Sequence, residues 1–390
     1  MMKKSQLTNL TLSIFILMAF VLAMSAMLFN GILDKVAKEL QISISETGLL
    51  SSAYAYGAAI GVPIILILFR KMERTKALEI MLFTTILATT WMILAPDFIQ
   101  LLLARFLSGI AANSYGVLAT ATVADFSPKE KLGSALARLI MGSALAMVIG
   151  IPLTRFLSEI FSWRIDFAFL IFLMVLSLAY FIRYLPKAQP SEEEVDFRSE
   201  LRFLKVKDVQ FVLLSMFLFF FGYGGFYTFQ TAYLIELTPS LFPLMSGLLV
   251  IFGLASFTGN HIGGVFADRI GYKKSLLIGS SLMAVLSMLI FILPKEPILL
   301  VLLIVLWQTA AWFTGIQMIT GISVATDNKS SLMLSLNGSA NQLGQAVGSS
   351  LAALVIPSLG ISTIVFIPLA GSLIIHLFYI LNRKQIQLSK

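Results

Sequence analysis

Gly264 to Lys274 read GVFADRIGYKK, and this short polar stretch lies between two apolar segments that are each long enough to cross a bilayer. Glycines permit the close approach of two helices. Asp268 can accept hydrogen bonds from a neighbouring helix N-terminus, and the basic residues are typical of the cytoplasmic side of a membrane. The stretch therefore predicts a charged loop between two membrane helices, with its key positions at Gly264, Asp268, Arg269, Gly271, Lys273 and Lys274.

The composition of the chain is that of a membrane protein. Hydrophobic residues make up 58% and charged residues 12% of its 390 residues, which lies outside the usual range of soluble domains. The net charge of +8 is spread over short loops between apolar segments, so we expect no nucleic-acid partner. Cysteine is absent, which excludes disulfides, thiol catalysis and cysteine-ligated metal sites. We expect neither a metal nor a cofactor.

Apolar segments recur along the chain and predict about twelve membrane-spanning helices of roughly 20 residues each. Basic residues such as Arg70, Lys71, Arg383 and Lys384 follow alternate spans, and by the positive-inside rule they place both termini in the cytoplasm. The approximate limits of the spans are 10–33, 47–69, 77–95, 98–122, 132–155, 164–184, 209–235, 244–267, 275–293, 298–323, 331–357 and 361–381.

The two halves of the chain look like copies of one another. Glu73-Arg74 follows the second span as Asp268-Arg269 follows the eighth, at an offset of 195 residues. The tripeptide that starts at Gly142 recurs at Gly338, at an offset of 196 residues. Two near-equal offsets of half the chain length indicate an internal duplication.

The duplication predicts an all-α membrane protein built from two pseudo-symmetric six-helix bundles. We place the N-terminal bundle at 1–185, a cytoplasmic linker at 186–208 and the C-terminal bundle at 209–390. In the linker, an acidic run is followed by alternating apolar and charged residues, which predicts a short interfacial helix. Duplicated bundles are typical of alternating-access transporters.

Several motifs resemble those of one family. The stretch at 264–274 fits G-x-x-x-D-R-x-G-x-K-K and resembles the loop signature of the major facilitator superfamily of secondary transporters. Arg105–Gly109 is similar to its fourth-helix motif, and Gly142–Pro152 with Trp163-Arg164 to a fifth-helix motif associated with export. Ser335–Gly344 is similar to the drug, sugar and purine efflux branch, which is drug:H+ antiporter-1-like.

This resemblance covers nearly the whole chain. It implies a multi-pass transporter of the cell (plasma or inner) membrane that exports a small organic molecule, such as a drug, a sugar or a nucleobase or nucleoside, by proton antiport. It also implies a gating function for the motif at 264–274. Three positions depart from the pattern: Ala26 replaces a first-span carboxylate used in proton coupling, Ala112 a common histidine, and Thr154 a common glycine.

Ionisable side chains inside the spans are few, and each needs a reason because a charge at mid-bilayer costs about 2.5–3.5 kcal/mol. Arg105 can hold a carboxylate or a carbonyl but cannot itself carry a proton. His261 belongs to the residue type that changes charge near neutral pH, and Asp125 near a span end is a third candidate for coupling. The alternative is structural: helix carbonyls satisfy Arg105, and an interhelical hydrogen bond satisfies His261.

Amides and aromatic side chains are concentrated in the second half. Asn337, Asn341 and Gln345 share one helical face, which should point inward because amides are costly in lipid. They suit a neutral, planar or polyhydroxylated ligand, and interhelical amide bonding is the alternative. The predicted substrate-cavity residues are Tyr54, Asn113, Tyr115, Tyr227, Gln230, Gln308, Trp312, Asn337, Asn341 and Gln345.

Glycines in the fifth and eleventh spans predict close helix packing between the halves. Gly142 and Gly150 are the positions in the fifth span, where Pro152 should also bend the helix because it removes one backbone hydrogen bond.

The sequence thus predicts a monomeric exporter whose partners are a small-molecule substrate, protons and the lipid bilayer. A facilitator or importer of a neutral solute without proton coupling is the main alternative, favoured by the lack of a carboxylate deep in any predicted span. A membrane enzyme finds no support, since the sequence has no HExxH, no GxSxG and no cluster of metal ligands. A receptor or scaffold would not predict the duplicated motif.

Overall fold

A computed structural model of the chain describes residues 8–128, 131–187, 200–293, 296–327 and 330–388. Within these ranges, twelve helical segments are long and apolar enough to span a membrane. This confirms the predicted all-α membrane fold. The twelve spans are Asn9–Leu40, Ile44–Leu68, Arg74–Leu94, Phe98–Phe126, Leu132–Ile160, Trp163–Tyr184, Lys207–Leu237, Pro239–Ile270, Tyr272–Ile292, Pro297–Ala325, Leu332–Leu359 and Ile361–Lys384.

Polar caps fix the starts of several spans. Thr8 Oγ1 accepts a hydrogen bond from the Thr11 amide at 3.1 Å, and Asp97 Oδ1 accepts one from the Gln100 amide at 2.9 Å. These side chains satisfy backbone donors that the first turn of a helix leaves without a partner. The first and fourth spans therefore begin at residues that the local sequence specifies.

The chain divides into two compact units, residues 1–42 with 53–194 and residues 43–52 with 195–390. In the first unit, the first span packs against the fifth and sixth, and the third packs against the fourth and sixth. In the second unit, the seventh span packs against the eleventh and twelfth, and the ninth packs against the tenth and twelfth. Each pair of neighbouring spans in the first unit has a counterpart six spans later in the second unit, as expected for two six-helix halves. The predicted boundaries at 185 and 209 stay a prediction.

Each of the twelve spans extends past at least one of its predicted limits, as three examples show. The first continues from the predicted end at 33 to Leu40, the seventh begins at Lys207 instead of 209, and the eighth continues from 267 to Ile270. Hydropathy ends a span at its first charged residue, whereas the helical backbone continues until a cap stops it. At the end of the first span that cap is Gln41, which has a left-handed backbone with φ of 53°.

The glycines of the fifth span lie against the first span of the same unit. Their predicted function in packing between the halves stays a prediction. A Cβ atom on Gly142 would lie 2.4 Å from the Ile16 carbonyl oxygen, and one on Gly150 would lie 3.1 Å from Met24 Cγ. The helix is also irregular there, with a π-helical turn over Ala146–Gly150 that ends two residues before Pro152. A proline removes a backbone donor, and a π turn is one way for a helix to accommodate the loss.

The linker prediction is only partly within the described residues. Residues 188–199 lie outside them, and a 3-10 helix follows at Leu201–Lys205. Before it, the Glu200 carboxylate accepts hydrogen bonds from Ser330 Oγ at 2.5 Å and from the Leu332 amide at 2.8 Å. The end of the linker is therefore attached to the start of the eleventh span, within the second unit.

Candidate functional site

The charged motif is a corner rather than a loop. The eighth-span helix contains Gly264, Asp268 and Arg269 and ends at Ile270, and the next helix begins at Tyr272. Gly271 alone joins them, with φ of 83°, a backbone region that side chains with a Cβ rarely adopt. This corrects the predicted boundaries, in which the charges followed the end of the helix.

Lys273, in the first turn of the ninth span, is the motif residue with an ionic partner on another span. Its Nζ lies 2.6 Å from Oδ2 of Asp208, whose side chain is 6% exposed. Asp268, Arg269 and Lys274 are exposed, and among the described residues no hydrogen bond or ion pair joins Asp268 to another residue. The corner is therefore attached to the seventh span through Lys273.

Arg105 is completely buried in the first unit and holds the middle of the first span. Its Nη1 and Nη2 donate to the carbonyl oxygens of Ser25 and Ala26 at 3.0 and 2.9 Å. The guanidinium also lies over the rings of Phe29 and Tyr54, at 4.9 and 4.5 Å from the centroids. Such cation–π contacts stabilise a desolvated cation.

The three predicted cavity residues of the first half have different surroundings. Tyr54 is buried against Arg105, as described above. Asn113 is half-buried, and its Nδ2 donates to the Gly109 carbonyl oxygen of its own helix at 2.9 Å. Tyr115 is buried, and its hydroxyl has no hydrogen-bond partner among the described residues. Their function in solute binding stays a prediction.

In the second unit, polar and aromatic side chains meet around the Tyr223 hydroxyl, which we call the Tyr223 cluster. Gln308 Nε2 donates to this hydroxyl at 3.2 Å and to Ser256 Oγ at 2.9 Å, and Trp312 Nε1 donates to the hydroxyl at 3.3 Å. Tyr227 stacks on the Tyr223 ring at a centroid distance of 4.8 Å. Three predicted residues thus come together: Tyr227, Gln308 and Trp312.

The Tyr223 cluster is backed by a further aromatic side chain. Trp307 stacks on Tyr223 at 5.9 Å and donates from its indole nitrogen to Ser287 Oγ at 3.0 Å. Gln308 is 1% exposed, and its Oε1 has no hydrogen-bond partner among the described residues. A buried carbonyl oxygen rarely stays without a hydrogen-bond donor, so this atom needs one from a water or a ligand.

The remaining predicted amides differ in burial. Gln230 and Asn337 are buried, while Asn341 and Gln345 are half-buried. Gln345 lies against Gly224 of the seventh span, where a glycine Cβ would meet its Cα at 2.7 Å. Burial therefore decreases along the predicted face, from the enclosed Asn337 to the partly accessible Asn341 and Gln345.

The two titratable coupling candidates lie in exposed or ion-paired positions. His261 is exposed on the eighth span, and no hydrogen bond is described for it within the ranges that the structure covers. Asp125 forms an ion pair with Arg74, and its side chain is 40% exposed. Neither assignment is tested by this geometry, and both stay predictions.

Sequence reasoning missed Tyr223, Asp208 and the ion pair between Asp34 and Arg155. Tyr223 precedes Tyr227 by four residues, so helical spacing could have placed both on one face. Asp208 was assigned to the linker, and Asp34 lay one residue past the predicted end of the first span. No sequence signal relates Arg155 to Asp34, because their contact depends on how two spans pack.

Twelve spans in two repeated six-helix units, with polar clusters buried inside each unit, define a membrane transporter rather than an enzyme. The sequence profile of the Major Facilitator Superfamily matches residues 15–249 and 237–388. The chain belongs to this superfamily, and it is a multi-pass secondary transporter of small solutes.

Similar proteins in three bacteria extend the comparison. The uncharacterized MFS-type transporter YbcL of Bacillus subtilis is 27% identical over 362 residues, 92% of each chain. The inner membrane transport protein YdhP of Escherichia coli is 28% identical over 354 residues, 90% of this chain and 89% of that protein. A probable sugar efflux transporter of Helicobacter pylori is 24% identical over 356 residues, 89% and 90% of the two chains.

Solved structures share the fold. The inward-facing, occupied form of a bacterial homologue of the human lysosomal transporter Spinster superposes with a TM-score of 0.78. It is 14% identical and 98% of each chain is covered. At this identity the likeness supports the architecture alone.

Proposed function

We propose that the chain exports a small, neutral organic solute in exchange for protons, as a member of the drug, sugar and purine efflux (drug:H+ antiporter-1-like) branch. The solute classes we consider are drugs, sugars, and nucleobases or nucleosides. The names of the Helicobacter relatives, probable sugar efflux transporters, support export and a polyhydroxylated solute. A facilitator or importer without proton coupling is the alternative.

The Tyr223 cluster is the observation that carries the proposed solute class. It combines stacked aromatic rings with amide and hydroxyl groups, and Gln308 keeps a buried acceptor oxygen. Aromatic walls with a few fixed polar groups suit a neutral ligand with planar or hydroxyl-rich surfaces. A charged ligand would need a charged partner at this depth, and the hydrogen bonds of the cluster involve only neutral side chains.

We further propose that the protein is a monomer in the plasma membrane with both termini cytoplasmic. The similarity to YdhP, an inner membrane transport protein, supports the membrane assignment. The termini follow from the basic residues after alternate spans, including Arg70 and Lys71, and from the positive-inside rule. Cysteine labelling from either side of intact cells would test the orientation, since the chain has no cysteine of its own.

The experiment is solute transport in proteoliposomes with and without an imposed pH gradient. Purified protein is first screened for binding of nucleobases, nucleosides, sugars and lipophilic drugs, and each solute that binds is then followed across the membrane. We expect accumulation on the acidic side of the membrane, lost when a protonophore collapses the gradient. Movement that only equalises concentrations would favour the facilitator.

Two tyrosines of the seventh span provide matched variants. Tyr223→Phe removes the hydroxyl that accepts from Gln308 and Trp312, so we expect the Kd of the transported solute to rise. Tyr233→Phe removes a buried hydroxyl outside the cluster that has no described hydrogen-bond partner, so the Kd should stay unchanged. Equal effects of both variants would contradict the assignment of solute contacts to the cluster.

A further inference from the structure

The described end of the linker contacts the start of the eleventh span, within the second unit. Glu200 occupies the N-cap position of the 3-10 helix Leu201–Lys205, but its side chain makes no capping hydrogen bond to that helix. Its carboxylate Oε2 instead accepts hydrogen bonds from Ser330 Oγ at 2.5 Å and from the Leu332 amide at 2.8 Å. Glu200 therefore caps a helix that begins more than a hundred residues further along the chain.

This contact completes the cap of the eleventh span. Ser330 is the N-cap residue of that span, is 1% exposed, and accepts a hydrogen bond from the Met333 amide at 3.1 Å. Because the Ser330 hydroxyl donates its one proton to Glu200, its oxygen is left to accept from Met333. The Glu200 carboxylate also lies at the positive end of a 29-residue helix, where a negative charge is favourable.

The other end of the same segment is attached to the seventh span. Gln210 Nε2, in the first turn of that span, donates to the Leu204 carbonyl oxygen at 2.8 Å. The Val206 amide donates to the Phe203 carbonyl oxygen at 3.0 Å. Residues 200–206 therefore join the start of the seventh span to the start of the eleventh, and we call them the bracket.

The two spans that the bracket joins are in backbone contact. A Cβ atom on Gly344 would lie 2.3 Å from the Phe217 carbonyl oxygen, and one on Gly348 would lie 1.9 Å from the Phe221 carbonyl oxygen. Glycines permit this approach, but they present no side chain that interlocks with the opposite helix. A shift along the helix axes meets less resistance at such positions, so a polar contact at the helix ends helps to fix the register.

The register matters because both spans carry groups of the proposed solute site. Gln345 packs against Gly224, which directly follows Tyr223 in the chain. Asn337 lies five residues after Leu332, about 7.5 Å along the helix at 1.5 Å per residue. Its Oδ1 has no hydrogen-bond partner among the described residues. A shift of the eleventh span would therefore move these amides relative to the Tyr223 cluster.

We propose that Glu200 is a positioning residue for solute binding. Through the bracket it holds the seventh and eleventh spans in the register that presents the Tyr223 cluster and the eleventh-span amides to one solute. Glu200 acts as a charged hydrogen-bond acceptor and does not touch the solute itself. Loss of its charge weakens both hydrogen bonds, because bonds to a charged group are the stronger kind. This inference rests on the solute site proposed above.

The first test measures the register without any solute. The chain has no cysteine, so spin labels on Leu213→Cys and Leu334→Cys report one distance between the seventh and eleventh spans. We expect a narrow distance distribution in the otherwise unchanged protein and a broader or shifted one after Glu200→Gln. This substitution keeps the size of the side chain and removes its charge.

Glu296→Gln is the matched control. Glu296 Oε2 accepts from the Ile298 and Leu299 amides at 3.0 and 3.2 Å, so it caps the tenth span from within that span. Both substitutions weaken a cap of two hydrogen bonds, and only Glu200→Gln opens the bracket. We expect similar small losses in melting temperature, with the distance changed in Glu200→Gln alone. A distance that changes in both variants, or in neither, would overturn the proposal.

The second test measures binding of adenosine and xylose, a nucleoside and a sugar, to purified protein. We expect the Kd of a probe that binds wild type to rise several-fold in Glu200→Gln and to stay unchanged in Glu296→Gln. A purely structural cap would raise the Kd in neither variant. A changed distance with an unchanged Kd would therefore overturn the positioning function.

A second variant keeps the proposal testable if Glu200→Gln does not fold. Ser330→Ala removes the same contact from its other side and should also change the distance between the labels. Its control is Ser162→Ala, because Ser162 is the local N-cap of the sixth span and accepts from the Arg164 amide at 3.4 Å. An unchanged distance in Ser330→Ala would contradict the bracket.

The two proposals fail separately. A wild-type protein that binds neither probe and moves no tested solute, but whose label distance changes in Glu200→Gln, would support the bracket and overturn the proposed solute site. Solute binding and export that respond to Tyr223→Phe but not to Glu200→Gln would support that site and overturn the function of Glu200.

Discussion

Lys273 Nζ lies 2.6 Å from Asp208 Oδ2 and joins the first turn of the ninth span to the first turn of the seventh. A lysine at a helix N-terminus is electrostatically unfavourable, and an aspartate there is favourable. The almost fully buried carboxylate of Asp208 offsets the unfavourable charge of Lys273 at the helix N-terminus. It therefore fixes the position of the corner formed by Gly271 relative to the seventh span.

Breaking this pair should destabilise the protein. We expect Asp208→Asn to lower the free energy of unfolding by about 1.5–3 kcal/mol, the usual contribution of a hydrogen bond to a charged group. Thermal melting in detergent measures the loss, and Lys274→Gln, which neutralises the exposed neighbour, should melt like wild type. In a double-mutant cycle, Lys273→Gln should cost little once Asp208 is Asn, and additive costs would contradict the coupling.

Asp268 should matter for transport and not for stability. It lies in the last turn of the eighth-span helix, where a negative charge is unfavourable by about 0.3–1 kcal/mol. We therefore expect Asp268→Asn to melt at the same or a slightly higher temperature, to insert normally, and to transport solute several-fold more slowly in proteoliposomes. Transport at the wild-type rate would contradict the proposed gating function of the motif.

Substitutions of the three amides of the eleventh span should have different effects, depending on how deeply each side chain is buried. Asn341→Ala and Gln345→Ala change half-buried side chains, so we expect an altered preference among solutes with a melting temperature near that of wild type. Asn337→Ala is the comparison on the same face; because Asn337 is 4% exposed, its loss should lower the melting temperature. An unchanged solute profile together with lower stability in all three would favour helix packing.

Arg105→Lys should weaken both downhill and proton-driven transport. Two nitrogens of the planar guanidinium reach the Ser25 and Ala26 carbonyl oxygens together, and a single ammonium cannot reproduce that geometry. Initial rates in both modes measure the effect. Arg138→Lys, at an exposed position of the fifth span, is the control and should transport normally.

His261 is a predicted coupling residue, and His261→Ala tests it. We expect accumulation under a pH gradient to be lost in His261→Ala, while downhill exchange of solute persists. Accumulation that persists in this variant would contradict the prediction and leave Asp125, or a facilitator without proton coupling, as the alternative. Wild type and variant should be compared at equal protein amounts in the same lipid.

Local patterns in the sequence determined the number of spans, their duplication and the charged motif between the eighth and ninth spans. Runs of apolar residues must form helices in a bilayer because the backbone has no water to bond with, so hydropathy alone predicts them. The offsets between Glu73 and Asp268, and between Gly142 and Gly338, showed the repeat without any knowledge of packing. Hydropathy misplaced the end of the first span, because it ends a span at the first charged residue, whereas the helix continues to its cap at Gln41.

Only the tertiary structure decided which polar groups meet. Asp34 and Arg155 are 121 residues apart, and the Tyr223 cluster draws side chains from the seventh, eighth and tenth spans. Each span is apolar around most of its circumference, so periodicity does not identify the face that contacts a neighbour. That face is selected by side-chain volume and by the need to pair buried polar groups, which are properties of two helices together rather than of either sequence alone.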